Sequence, residues 1–301
     1  MTALPLTDAE REFVREAVQY LEEPTWSMRL AQALGVPLQK VTDTVVPDKV
    51  AQLGTDVLVK ATDWAVASVA GTELAQPEVE DAMDKSEWTA FWHKLASVCT
   101  GAAGGTLGLG GLAVELPVTT LVMLRSIVSI AKDFGENLLD PAVRLECVSV
   151  FGYGGRDASD AAMDSSYLTS RIAMSQLIRD ASKFVAASGA VPLAEAVKKG
   201  TAPALLKFVG RVAAQFNVRV SQKFLVQGIP LFSIATAATI NAAFTDYYSR
   251  VARYHFGLRR LERKYGPDTV RHLYSEEQQK LSGKTAAKLP QPDAPSQSKE
   301  S

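Results

Sequence analysis

The chain has 301 residues, 47% of them hydrophobic, and a formal net charge of -1. That apolar content is enough for a sizeable core and excludes disorder over most of the length, while the near-neutral balance removes any overall pull toward nucleic acid. The two cysteines, Cys99 and Cys147, lie in apolar helical patterns without metal or redox spacing, which argues against a disulfide framework and fits a reducing compartment.

The opening MTALPLTDAEREFVREAV has no basic segment followed by an apolar core, so no secretory signal is expected and the protein is read as cytoplasmic. Thr7-Asp8-Ala9-Glu10 reads as a capping box, after which Phe13, Val14, Ala17, Val18 and Leu21 recur at helical spacing until Pro24. Trp26 to Leu34 predicts a short helix stopped at Gly35. Pro47 opens a longer one ending near Gly71, with Val50, Leu53, Val57, Leu58, Ala61, Trp64 and Ala65 on its apolar face. The polar stretch Thr72 to Lys85 reads as a linker before a helix that Ser86 caps.

Leu95 to Gly135 is the most distinctive segment. Gly101, Gly104, Gly105, Gly108, Gly110 and Gly111 punctuate an apolar run, and each costs about 1 kcal/mol relative to alanine in an isolated helix, so another helix must pack closely on them. The acid-x-proline unit Glu115-Leu116-Pro117 predicts a corner. A nearly all-apolar helix follows it, bearing one polar stripe of Arg125, Ser129, Lys132 and Glu136. Gly135 reads as a C-terminal stop, and Asp140-Pro141 as the cap and first turn of the next helix.

Gly152 to Ser159 reads as a loop, followed by a helix from about Asp160 to Ala187, a short one after Pro192, and one opened by Ala202-Pro203. The last apolar block, with small residues and a corner at Gly228 to Pro230, echoes the first as a weak pseudo-repeat and continues into a long helix. Gly266-Pro267 begins a short helix to about Lys280, and Ser282 to Ser301 has the composition of a disordered tail. No run alternates as a strand would. The expected fold is all-α, a compact multi-helix bundle with two small-residue-rich central helical hairpins.

Leu95 to Val114 and Phe224 to Thr245 carry no charge, which makes membrane spans a length-compatible option. Their glycine, alanine, serine and threonine content argues instead for buried helices. Gly108-Leu-Gly110-Gly-Leu-Ala113 matches a dinucleotide pattern, but no strand precedes it, so it reads as a packing feature and no cofactor is expected. His93, His255 and His272 match no metal pattern, and no metal is expected.

Glu115 is the lone charge between Lys94 and Arg125, suited either to capping a helix or to acid/base work. Asn241, Thr245, Tyr248 and His255 share one helical line beside a second line of Asp246, Arg250 and Arg253, the best polar constellation in the chain. Read blandly, that constellation is a surface Asp246/Arg250 pair and a satisfied core asparagine. The cations from Arg250 to Lys264, interleaved with Tyr254 and Phe256, suit anionic lipid headgroups better than RNA, though they also suit a solvated helix end.

Two segments, GAAGGTLGLGGLAVELPVTTLVMLRSIVSIAKDFG and GIPLFSIATAATINAAFTDYYSRVARYHFGLRRLERKYG, resemble the bacterial EcsC family. The resemblance is expected to span Val45 to Tyr274. It divides the chain into N-terminal helices (1–44), a family-like domain (45–281) and a tail (282–301). It carries over Pro117, Arg125, Gly135, Asn241, Asp246 and His255; at the corner the family usually has aspartate where this chain has Glu115. It implies membrane proximity beside a transporter more than any reaction. The expectation is a cytoplasmic protein at the inner membrane face, binding anionic lipid or a lipid-like ligand through Glu115, Arg125, Asn241, Asp246, Tyr248, Arg250, Arg253 and His255. The alternative is a hydrolase-like enzyme with Glu115, Asp246 and His255 as its catalytic candidates.

Overall fold

The computed structural model describes residues 6–22, 48–67, 108–154, 167–188, 195, 201–227 and 234–288, and among them there are helices and no strands. Helix α1 (Asp8–Glu22) starts where the capping box predicts: the Thr7 hydroxyl accepts from the Glu10 amide at 3.3 Å and the Glu10 carboxylate accepts from the Thr7 amide at 2.9 Å. Its Val14, Ala17, Val18 and Leu21 are buried. Helix α2 (Asp48–Ala67) buries Val50, Val57, Leu58, Ala61 and Ala65. The segments expected as a helix over Trp26 to Leu34, the linker from Thr72 to Lys85 and the helix that Ser86 caps lie outside the described residues, as do Gly101 to Gly105 of the glycine run.

Helix α3 (Gly108–Asp133) corrects one expectation, because it continues through Pro117 with no corner at Glu115-Leu116-Pro117. Proline inside a helix loses one hydrogen bond and crowds the carbonyl four residues back, at a cost of about 3 kcal/mol. Leu116, Thr120, Met123, Leu124 and Ile127 are fully buried around it, and the Thr120 hydroxyl donates to the Leu116 carbonyl at 2.8 Å. Tertiary burial therefore outweighs the local break signal. The second expected corner, Gly228 to Pro230, lies outside the described residues.

At the far end of α3 the signals act as expected. Gly135 has φ +77°, its amide donates to Lys132, and the Glu136 amide donates to Ala131. Asp140 then caps α4 (Pro141–Ser149) by accepting from the Ala142 amide at 2.8 Å, and a 3-10 turn, Val150–Gly152, follows. Helices α5 (Tyr167–Ser188), α6 (Pro203–Gln227) and α7 (Ile234–Tyr265) come next. After Gly266 at φ +87°, α8 (Pro267–Lys288) runs seven residues into the segment expected to be tail, with Leu281 packed against the core.

Helix α7 is the axis of the molecule: α1, α3, α8 and the 3-10 turn all pack on it. Helix α6 packs on α2 and α5, and α4 contacts α2, α3 and α5, joining the two groups. The expected pairing of the Leu95 to Gly135 stretch with Asn241 to His255 is present in the contact of α3 with α7. Ser126 and Ser249 hydroxyls meet at 3.2 Å and Arg259 meets Glu136 at 2.8 Å, both pairs 123 residues apart in sequence. Equal offsets at both contacts mean that α3 and α7 run parallel.

Candidate functional site

A buried acid-histidine cluster lies where α4, α5 and α7 converge. The Asp140-Pro141 start sets the phase of α4 so that Glu146 turns inward between the buried Leu145 and Cys147. His255, on the inner face of α7, is 0% exposed. Its Nδ1 lies 2.7 Å from the Tyr167 hydroxyl at the start of α5, and its Nε2 lies 2.9 Å from Glu146 Oε1, with the carboxylate off the ideal N–H axis. The Tyr153 ring lies against the imidazole at 4.9 Å between centroids. Gly154, at φ +91°, turns the chain there, where a methyl group would sit 2.5 Å from the Tyr247 hydroxyl oxygen.

Around this centre three arginines hold the carboxylates. Arg259 grips Glu136 with two hydrogen bonds of 2.8 and 2.9 Å and reaches to 3.7 Å from Glu146. Arg263 joins the same Glu136 and donates to the Phe134 carbonyl at 2.5 Å. Arg171 and Glu262 form a second fork, at 2.8 and 2.6 Å. The Glu22 carboxylate accepts from the Tyr167 amide at 3.1 Å and from the Tyr274 hydroxyl at 2.8 Å. The network thus ties α1, α3, α4, α5, α7 and α8 together.

Burial alone would raise the Glu146 carboxyl, but His255 and then Arg259 and Arg171 more than reverse this and hold it at about 2. Burial pushes His255 down, Glu146 opposes, and Arg171 and Arg259 add to the fall. The pair is therefore an ionised carboxylate beside a neutral imidazole at neutral pH. Burial also raises the hydroxyls of Tyr153 and Tyr167 and the Cys147 thiol, so none of them is an ionised nucleophile. The arrangement keeps the Glu146 carboxylate ionised in a closed core and holds groups from six helices together.

The residues singled out from sequence do not converge on one site. His255 is in the cluster, and Tyr248 is buried nearby with its hydroxyl 3.5 Å from the Phe151 carbonyl. Asp246 and Arg250 form an exposed i,i+4 pair at 3.0 Å, as in the bland reading. Asp246 is nine positions from His255 on α7, half a turn out of phase and about 13.5 Å along the axis, so the two cannot share a proton. Asn241 is half-buried and its Oδ1 has no partner among the described residues. The Arg125 guanidinium lies 5.8 Å from the Trp64 ring centre, and Arg253 is exposed. The Glu115 side chain lies outside what the structure describes.

Glu146, Tyr153 and Tyr167 were missed by sequence reasoning, although Glu146 carried a signal of the kind that drew attention to Glu115: a lone acid flanked by apolar residues that the helix must bury. Of the basic run, Arg259 and Arg263 are occupied by Glu136, and Lys264 by Glu10 at 2.8 Å. Among the described residues no group of three His, Cys, Asp or Glu is placed to hold a metal, and no helix is long and apolar enough to cross a membrane.

Fold and core define an all-α protein in which a buried acid-histidine network locks helices around one long axis. A family model described as the EcsC protein family matches residues 14–261, most of the chain, and the chain belongs to that family. The match begins earlier than the expected Val45 and takes in most of α1, which packs on α7 and α8. Comparison with curated proteins and with solved structures gave no match.

Proposed function

We propose that this protein works at the cytoplasmic face of a membrane, resting one end of its helical bundle on the bilayer, in the vicinity of a membrane transporter. The parallel register of α3 and α7 carries this reading. It brings Gly108 to Leu124, whose sole charge is Glu115, level with Ile234 to Thr245, which has none, so both charge-poor halves lie at one end of the pair. At this end Val118, Leu121 and Val122 are only partly buried and Ala242 is exposed. The charged halves, with Lys132, Glu136, Arg259 and Arg263, lie together at the other end.

The charge-poor lengths correspond to roughly 18 Å of α7 and 25 Å of α3, shorter than the ~30 Å hydrocarbon core, which suits interfacial seating rather than spanning. Co-sedimentation of the purified chain with phospholipid vesicles tests the reading, and Val122→Glu should weaken binding. No binding to vesicles of any composition would overturn it. The hydrolase alternative gains no support from Asp246, which faces away from His255.

A further inference from the structure

In the α3–α7 pair the charge-poor segments Gly108 to Leu124 and Ile234 to Thr245, which hold one charge between them, Glu115, end where arginines begin. With an offset of 123 residues Arg125 of α3 is level with Tyr248 of α7, so Arg250 and Arg253 lie only about 3 to 8 Å further along the axis. Arg253 is exposed and has no ion-pair partner among the described residues, and the half-buried Arg125 lies over the half-buried Trp64 of α2. Asp246, the one acid at this level of the α3–α7 pair, is answered by Arg250. Cations and a tryptophan at the edge of an apolar zone match the chemistry of the headgroup layer, where guanidinium forks take phosphate oxygens and indole rings lie between water and acyl chain.

We infer that Arg125 and Arg253 form a collar that binds the phosphates of anionic phospholipids and sets how deeply the charge-poor end enters the bilayer, with Trp64 at headgroup depth. This rests on the membrane reading above and specifies its lipid chemistry. Arg260, on the same flank of α7 but about 10 Å beyond Arg253, lies a full screening length away and outside the collar.

Binding to vesicles of phosphatidylcholine alone and with added phosphatidylglycerol is the test, on the full chain and on Arg125→Gln/Arg253→Gln, Arg125→Lys/Arg253→Lys and Arg260→Gln variants whose melting curves match the wild type. The collar predicts tighter binding to the anionic vesicles, an approximately five-fold loss per collar arginine on them, partial rescue by lysine and little effect of Arg260→Gln. In a chain with Trp26, Trp88 and Trp92 replaced by Phe, headgroup-attached quenchers should dim Trp64 more than quenchers deep in the acyl chain. Binding by the double glutamine variant equal to wild type, an equal loss from Arg260→Gln, or competition by inorganic phosphate at matched ionic strength would overturn the collar and leave the membrane reading standing. Absence of all vesicle binding would remove both.

Discussion

At the scale of single residues, the Glu146–His255 pair makes two measurable demands. Glu146→Ala removes the buried acceptor that the His255 ring and Arg259 face and should cost about 1–3 kcal/mol in urea denaturation, and Glu146→Gln, which keeps the shape, should cost less. The pH response has one sign from both groups. His255 is lowered from 6.5 when folded, so the stability it contributes is present above pH 6.5 and falls as pH drops below that value. Glu146 is lowered from 4.5 to about 2, so its contribution is present above pH 4.5 and is lost as pH drops toward 2. Melting temperature should therefore fall steadily on acidification from pH 7, and a flat profile between pH 7 and 5 would show that the imidazole is not held neutral. Sequence reasoning named His255 with Glu115 and Asp246 as its acids, and the carboxylate at its ring is Glu146. Helical phase is visible within one helix, whereas Glu146 comes from a helix more than a hundred residues away.

At the scale of elements, the local signals were legible because they act over a few residues. The Thr7 capping box, the Asp140-Pro141 start, the Gly135 stop, the Gly266-Pro267 start and the Pro203 opening all stand where the sequence puts them. Thr7→Ala should lower stability by about 1 kcal/mol in thermal unfolding. Pro117 was misread because its local preference is overridden by the burial of Leu116, Thr120, Met123 and Leu124, contacts that no window of the sequence displays. The same blindness hid the tightest helix crossings. At Gly257 a methyl group would lie 2.2 Å from the Phe13 ring, and at Gly54 it would lie 2.0 Å from Asn217 Oδ1. Gly257→Ala should destabilise by about 1–3 kcal/mol, and pairing it with Phe13→Leu should recover part of that loss in a double-mutant cycle.

At the scale of the whole molecule, the all-α class was legible from periodicity and the absence of alternating runs, and the parallel register of α3 and α7 was not. That register has a consequence for biosynthesis. Ser126 and Ser249 are separated by 123 residues, which a ribosome adding about 5–20 residues per second takes roughly 6–25 s to make. During that interval the face of α3 that α7 later covers emerges without its partner, and α1 waits longer still, since Tyr20 reaches Tyr247, 227 residues on. Nascent chains arrested before Ile234 should be cleaved readily by protease within α1 and α3, and chains released after Lys288 should resist. The two ends of this bundle are joined only after nearly all of it has been translated, so its assembly is timed by the last helices to leave the ribosome.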